Sequence, residues 1–164
     1  MTYPNTRHPD APATARAELR DAGTAPDVLV GDGGTAVHHL VEPLGAEGRF
    51  GLFRLDLGPR PGGPAPHFHR GMSETFFVLS GSVRLYDGRR WADTGPGGLL
   101  HVPRGAVHSF RNDSGEPASM LMLVAPGVPR APFYEELARI VSDGRRPDPE
   151  EWAEFYRRHD HHIA

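Results

Sequence analysis

An all-β barrel or sandwich followed by two short helices is the fold class this sequence predicts. Three observations carry the prediction: eight short runs of β-forming residues, Gly/Pro punctuation between them, and a switch to helical spacing after Pro126. Glycine (20) and proline (17) exceed a fifth of the 164 residues, which favours turns and short strands over long helices. No Gly-X-Y period accompanies them, so a collagen-like chain is excluded. The length suits one domain with one core.

In chain order, residues 1–27 are rich in Pro, Ala and Thr and poor in large apolar side chains. They bury little, so the expectation is a flexible arm with one helical turn around Ala15–Arg20. Residues 28–126 hold the β runs: Val28–Val30, Ala36–Val41, Arg49–Leu57, Glu74–Leu79, Val83–Tyr86, Leu99–Val102, Val107–Arg111 and Ser119–Val124. Within the third run, Phe53, Leu55 and Leu57 alternate as a half-buried strand requires. Residues 127–164 form a helical extension. Its first helix spans Phe133–Ser142, with Phe133, Leu137, Ile140 and Val141 on one face and Gly144 as the stop. A second starts at the N-cap Asp148, with Pro149 first in the helix and Glu150 and Glu151 in the first turn, and runs through Trp152, Phe155 and Tyr156 to Arg157 and Arg158.

Composition narrows the chemistry. There is no cysteine, which removes disulfides, thiolate catalysis and thiolate-bound metals. All 18 basic residues are arginine, so Schiff-base chemistry is excluded as well. A net charge of -3 without a dense basic run argues against nucleic acid as a partner. No apolar stretch approaches membrane-spanning length and no charged-then-apolar leader opens the chain, so the expectation is a soluble, cytoplasmic protein without a membrane partner. Ten histidines remain, and with the carboxylates they must carry any chemistry.

The most informative segment is His67-Phe68-His69-Arg70-Gly71-Met72-Ser73-Glu74. In a strand, His67 and His69 present two imidazoles on one face. Glu74 stands at an odd offset from His69, and a turn or bulge at Arg70-Gly71 resets the register so that it faces inward. Two nitrogens and one oxygen make a partial shell for a divalent transition metal. A fourth candidate, His108, follows the strand-ending Pro103 and the turn at Gly105, ahead of Asn112.

Pro61-Gly62-Gly63, His67-x-His69-x4-Glu74 and Gly81 resemble the first motif of the cupin family, and Gly97 through Asn112 resembles the second. Fifteen residues separate Gly81 from Gly97, a short connection similar to that of microbial single-domain cupins. The resemblance implies a double-stranded β-helix, the jelly-roll barrel. One divalent metal ion would sit inside it, held by His67, His69, Glu74 and His108. Fe, Mn, Ni, Co, Cu and Zn all suit such a ligand set, which does not choose among them.

Strand parity from Glu74 and His108 turns Phe76, Val78 and Phe110 inward as a substrate pocket, and Phe77, Leu79 and Phe68 outward. The expected cavity is apolar and aromatic, with no lysine and no inward arginine, and so a poor host for small anions. Phe77 and Leu79 need a cover, either the C-terminal helices or a second copy, and a homodimer is expected, with the N-terminal arm reaching across. His101 reads as a non-ligand, at most one of His38 and His39 faces inward, and the tail His159-Asp160-His161-His162 reads as frayed and solvated.

Single-domain size and trailing helices look like bacterial quercetinase-like cupins. That likeness implies a metal-dependent dioxygenase acting with O2 on a small aromatic or hydrophobic organic substrate, with Glu74 as both ligand and catalytic base. Two alternatives share the same pocket: a metal-dependent isomerase or polyketide cyclase, and a non-enzymatic small-ligand-binding cupin. No helix-turn-helix candidate precedes the barrel, which disfavours a DNA-binding regulator.

Overall fold

The computed structural model describes residues 16–32, 34–59, 62–144 and 147–164. Most of the expected arm and Pro61 of the first motif lie outside the described residues. Strands β1 (Val28–Val30), β2 (Thr35–Val41), β3 (Gly51–Leu57), β4 (His67–Phe68), β5 (Ser73–Ser80), β6 (Val83–Tyr86), β7 (Trp91–Thr94), β8 (Leu99–Val102), β9 (Ser109–Arg111) and β10 (Ala118–Ala125) precede helices α1 (Ala131–Ser142) and α2 (Pro149–Arg158) and the two-residue β11 (His162–Ile163). Three sheets result, in the orders β1-β2-β3-β10-β5-β8, β7-β6-β9 and β11-β4. All pairings between these strands are antiparallel.

Period-two alternation does the sorting. Phe53, Leu55 and Leu57 on β3 stand opposite Met122, Met120 and Ala118 on β10, and all six are buried. On its other edge, β10 sets Val124, Met122 and Met120 against Glu74, Phe76 and Val78 of β5. Glu74 thus shares the inner face with the core, as its parity required. Val83 and Leu85 from the smaller sheet close the same core. Burying each such side chain contributes roughly 1.5–3 kcal/mol.

Two glycines of the first motif are needed for steric reasons. A Cβ on Gly63 would fall 1.9 Å from the Phe110 carbonyl oxygen, so strand β9 passes too close for any side chain. Gly81 turns the β5–β6 hairpin at φ 70°, with the Pro117 carbonyl 2.5 Å from where its Cβ would be. Asn112 donates to the carbonyls of Gly58 (2.8 Å) and Glu116 (2.7 Å) and pins the loop before β10.

Several expectations need correction. Arg49 and Phe50 are not strand, because a turn closes there with Glu47 and Gly48 at positive φ. β7 has little apolar content and lies at the edge of its sheet, half exposed, which hid it from a hydrophobic pattern. Arg16–Arg20 is not helical; Arg20 instead ties the chain down through Asp27 (2.8 Å) and the His39 carbonyl (3.2 Å). Helix α1 begins earlier, at Ala131, and buries Phe133 and Tyr134 while Val141 is exposed. Tyr134 sits 6.4 Å from the Phe53 ring, and that contact rotates the helix face toward the core. α2 matches its expected cap: the Asp148 carboxylate accepts from the Glu151 N–H, and the Glu151 carboxylate accepts from the Asp148 N–H, both at 2.9 Å.

Phe77, Leu79, Leu99 and Leu123 remain exposed on the outer face of β5, β8 and β10. The C-terminal helices do not cover them; α1 packs on β1 and α2 on α1. No helix among the described residues is long and apolar enough to cross a membrane.

Candidate metal centre

His67 and His108 are a directly opposed antiparallel pair: the His67 N–H donates to the His108 carbonyl at 3.0 Å, and the His108 N–H to the His67 carbonyl at 2.8 Å. Opposed residues project to one side of a ladder, so both rings point to the same inner side. His69 follows two residues on. Arg70-Gly71 then bends the chain, and β5 delivers Glu74. The ligand atoms of His67, His69, Glu74 and His108 all lie within 4.8 Å of one another, and all four residues are buried.

The outer nitrogens fix the tautomers. Nδ1 of His67 faces the Ala65 carbonyl (2.8 Å), Nδ1 of His108 the Ala106 carbonyl (3.2 Å), and Nδ1 of His69 the Asp160 carbonyl. Each Nδ1–H therefore donates outward, and each Nε2 turns its lone pair to the centre. There Nε2 of His108 stands 2.9 Å and Nε2 of His69 3.5 Å from one Glu74 oxygen. Nε2 of His69 has no hydrogen-bond partner. Lone pairs facing a carboxylate are mutually repulsive unless a cation lies between them, so these four side chains fit a divalent metal and could hold one.

The electrostatics agree. Burial opposes ionisation of Glu74, but hydrogen bonds that His108 and His69 give once an Nε2 carries a proton in the cation's place, together with the Arg130 charge, outweigh it and hold the carboxyl well below its usual range. Burial, with His108 beside it, pushes His67 down to about 3, which keeps it neutral, the form a metal ion requires. A cavity of about 350 Å³ opens beside the cluster, with Leu55, Met122 and Phe133 on its apolar wall. Of the three residues expected to line a pocket, Phe110 does so. Phe76 and Val78 are fully buried in the core, with the Phe76 ring 5.9 Å from that of His108 and 5.4 Å from that of Phe110.

The tail is the largest correction. It is packed against the site and not frayed. Ile163 pairs with His67 and His162 with Phe68, and the Asp160 carboxylate accepts from the backbone N–H groups of Arg70 (3.0 Å) and Gly71 (2.7 Å). The ring of His161 is buried between His67 and Tyr156 and lines the cavity. Burial pushes its pKa down to about 2, so it is neutral. Density of histidine and aspartate was the only signal for this in the sequence; contacts spanning some ninety residues leave no local periodicity.

An arginine also faces the cavity, contrary to expectation. Arg130 is the N-cap residue of α1, yet its side chain makes no cap and runs inward, 4% exposed. Strand parity could not reveal it because it lies outside the barrel strands. Three further histidines have partners of their own. His101 is exposed and bonds Thr75 (2.9 Å), His38 pairs with Asp56 (2.9 Å) on the outer face, and His39 pairs with Glu42 (2.9 Å) and packs edge-on against Phe53.

Residues 53–124 match the family described as "Cupin domain". A curated relative, quercetin 2,3-dioxygenase of Bacillus subtilis (strain 168), is 29% identical over 129 residues; the match covers 78% of this chain and 36% of that protein. The chain thus spans about a third of the length of that relative. Among solved structures, the polyketide cyclase RemF of Streptomyces resistomycificus is similar at 26% identity and TM-score 0.53, over 66% of this chain and 80% of that one. A predicted oxalate decarboxylase of Thermotoga maritima shares the fold at TM-score 0.59 and 18% identity, over 66% of this chain and 98% of that one. Motif spacing, sheet topology and these matches agree: residues 53–124 form a cupin domain.

Proposed function

We propose that this cupin is a metal-dependent dioxygenase acting on a small aromatic or hydrophobic molecule, with His67, His69, Glu74 and His108 as the ligands. The observation that carries the metal assignment is the inward convergence of three Nε2 lone pairs and one carboxylate. The similarity to quercetin 2,3-dioxygenase supports the oxygenase reading. A divalent metal in such a site polarises a coordinated oxygen and stabilises the charge that develops on it.

The chain's own residues supply the rest. Glu74 is ionised and lines the cavity, so it is placed to take the proton of an incoming hydroxyl that a bound metal would make more acidic. Apolar side chains on the cavity wall exclude water and accept a flat ring system. The backbone carbonyls behind the imidazoles keep the ligands oriented without a metal present, so little reorganisation accompanies binding.

Oxygen uptake by protein reconstituted separately with Fe, Mn, Ni, Co, Cu and Zn, against a flavonol panel, tests the reading. Uptake with at least one metal is expected and its absence with all of them overturns it. A second reading, metal-assisted cyclisation or isomerisation, is favoured by the similarity to a polyketide cyclase. Turnover under strict anaerobiosis would select it. A non-enzymatic small-ligand-binding cupin is the third reading, and ligand binding without turnover, unaffected by Glu74→Gln, would select it.

A further inference from the structure

Arg130 is a buried cation with no carboxylate of its own. Among the described residues, no acidic side chain lies within ion-pair distance of it, and Glu74 is the sole carboxylate that lines its cavity. Glu74 is already engaged by His108 and His69. The Arg130 guanidinium is held in place: one Nη donates to the His159 carbonyl (3.2 Å) and its Cζ lies 4.2 Å from the centre of the Phe133 ring. Its Nε–H is buried and has no partner. Beside it, His161 is buried with both ring nitrogens unpartnered, and its ring is stacked at 5.7 Å from the same Phe133. Buried nitrogens without a hydrogen bond also occur at His39 and Arg54, but those of Arg130 and His161 belong to residues that line one cavity, where an acceptor can enter.

We propose that Arg130 and His161 form a carboxylate-binding subsite, and that the substrate is a flat apolar molecule bearing one carboxylate. This rests on the reading of the cavity as the substrate pocket and not on the oxygen chemistry. The donor geometry selects the anion: the Nε side of a guanidinium offers two parallel N–H bonds matched to the two oxygens of a carboxylate, and His161 has a ring nitrogen free to donate a third. The surrounding wall of Leu55, Met122 and Phe133 selects the body. An inorganic anion would leave that wall unfilled, and an uncharged ring system would leave Arg130 unpaired. The cavity's volume of about 350 Å³ accommodates a two-ring molecule.

Calorimetric titration of 2-naphthoate and its uncharged isostere 2-naphthamide, into metal-loaded and metal-stripped protein, tests this without relying on turnover. Naphthoate is expected to bind at least tenfold more tightly than naphthamide in both forms. Arg130→Gln should erase that preference by weakening naphthoate alone, and His161→Phe, which keeps the stacked ring, should weaken naphthoate a few-fold. Equal affinities for the pair in wild type overturn the proposal and need no variant. A preference that survives Arg130→Gln, or that vanishes when metal is stripped, assigns the carboxylate to the metal and also overturns it. Should Arg130→Gln fail to fold, Arg130→Lys keeps the charge and loses the fork, and an undiminished preference there likewise overturns the proposal. Naphthoate selectivity without oxygen uptake on any substrate would sink the oxygenase reading and leave the subsite standing.

Discussion

The imidazole of His161 lies face to face on that of His67, with 3.8 Å between centroids and 12° between planes. The two rings come from elements far apart in the chain, β4 and the segment after α2. With Nδ1 tied to the Ala65 carbonyl and one face covered by His161, the His67 ring has no freedom to turn. His161→Ala should therefore cost roughly 2–4 kcal/mol of stability through the void it leaves. It should also lower metal affinity about tenfold, the scale of losing an outer-shell support. His161→Phe should restore most of both. Urea denaturation and competitive zinc titration measure the two effects separately.

Asp160 supports His69 in a different way. Its carboxylate accepts two backbone N–H groups at the Arg70-Gly71 bend, and that grip places its own carbonyl behind His69 Nδ1. Asp160→Ala should cost about 2 kcal/mol, because two donors lose a charged acceptor. Asp160→Asn, which keeps one acceptor oxygen, should lose less. Cobalt bound at the site provides the readout: the alanine variant is expected to show a changed visible absorption spectrum.

Acid should destabilise the metal-free protein, with a definite sign. His67 and His161 have folded values of about 3 and about 2 against an ordinary 6.5, so the unfolded chain binds more protons below pH 6.5. Their contribution is fully present above pH 6.5 and declines as pH falls towards 3. Glu74, depressed below its ordinary 4.5, adds to the loss in more acid solution. Two protons give a limiting slope of about 2.7 kcal/mol per pH unit. His161→Phe should halve it between pH 6 and pH 4, as measured by denaturant titrations at fixed pH.

Phe76 separates packing from recognition. It is fully buried behind His108, so Phe76→Ala should cost roughly 3–5 kcal/mol. Phe110→Ala, at the partly buried cavity wall, should cost less stability and change naphthoate binding more. Equal thermal losses for the two variants would contradict this division.

The apolar outer face should join two copies. Phe77, Leu79, Leu99 and Leu123 are exposed together and no helix among the described residues covers them. Wild-type protein is expected to sediment as a dimer and Phe77→Glu as a monomer.

The convergence of His67, His69, Glu74 and His108 was legible because strand parity and a register-resetting bend are local rules, and Glu74, His67 and His69 obey them. The capping box of α2 was legible for the same reason. Tyr134 was not, since helical spacing leaves the choice of buried face to the partner surface, here Phe53 and Met122. Arg130 and His161 escaped for a shared reason: each belongs to the C-terminal extension and enters a cavity that the barrel strands build. An N-cap arginine and a terminal histidine are ordinary surface residues until tertiary packing turns them inward.

The three imidazoles lean on main-chain oxygens, not on side-chain acids. Such supports have no proton to gain or lose, so the basicity of the ligands should stay constant over a wide range of acidity. Nor can a point substitution delete them, because every amino acid carries the same carbonyl. Tuning this centre therefore requires shifting the path of the backbone, and loop insertions or deletions near Ala65, Ala106 and Asp160 are the changes that would reach it.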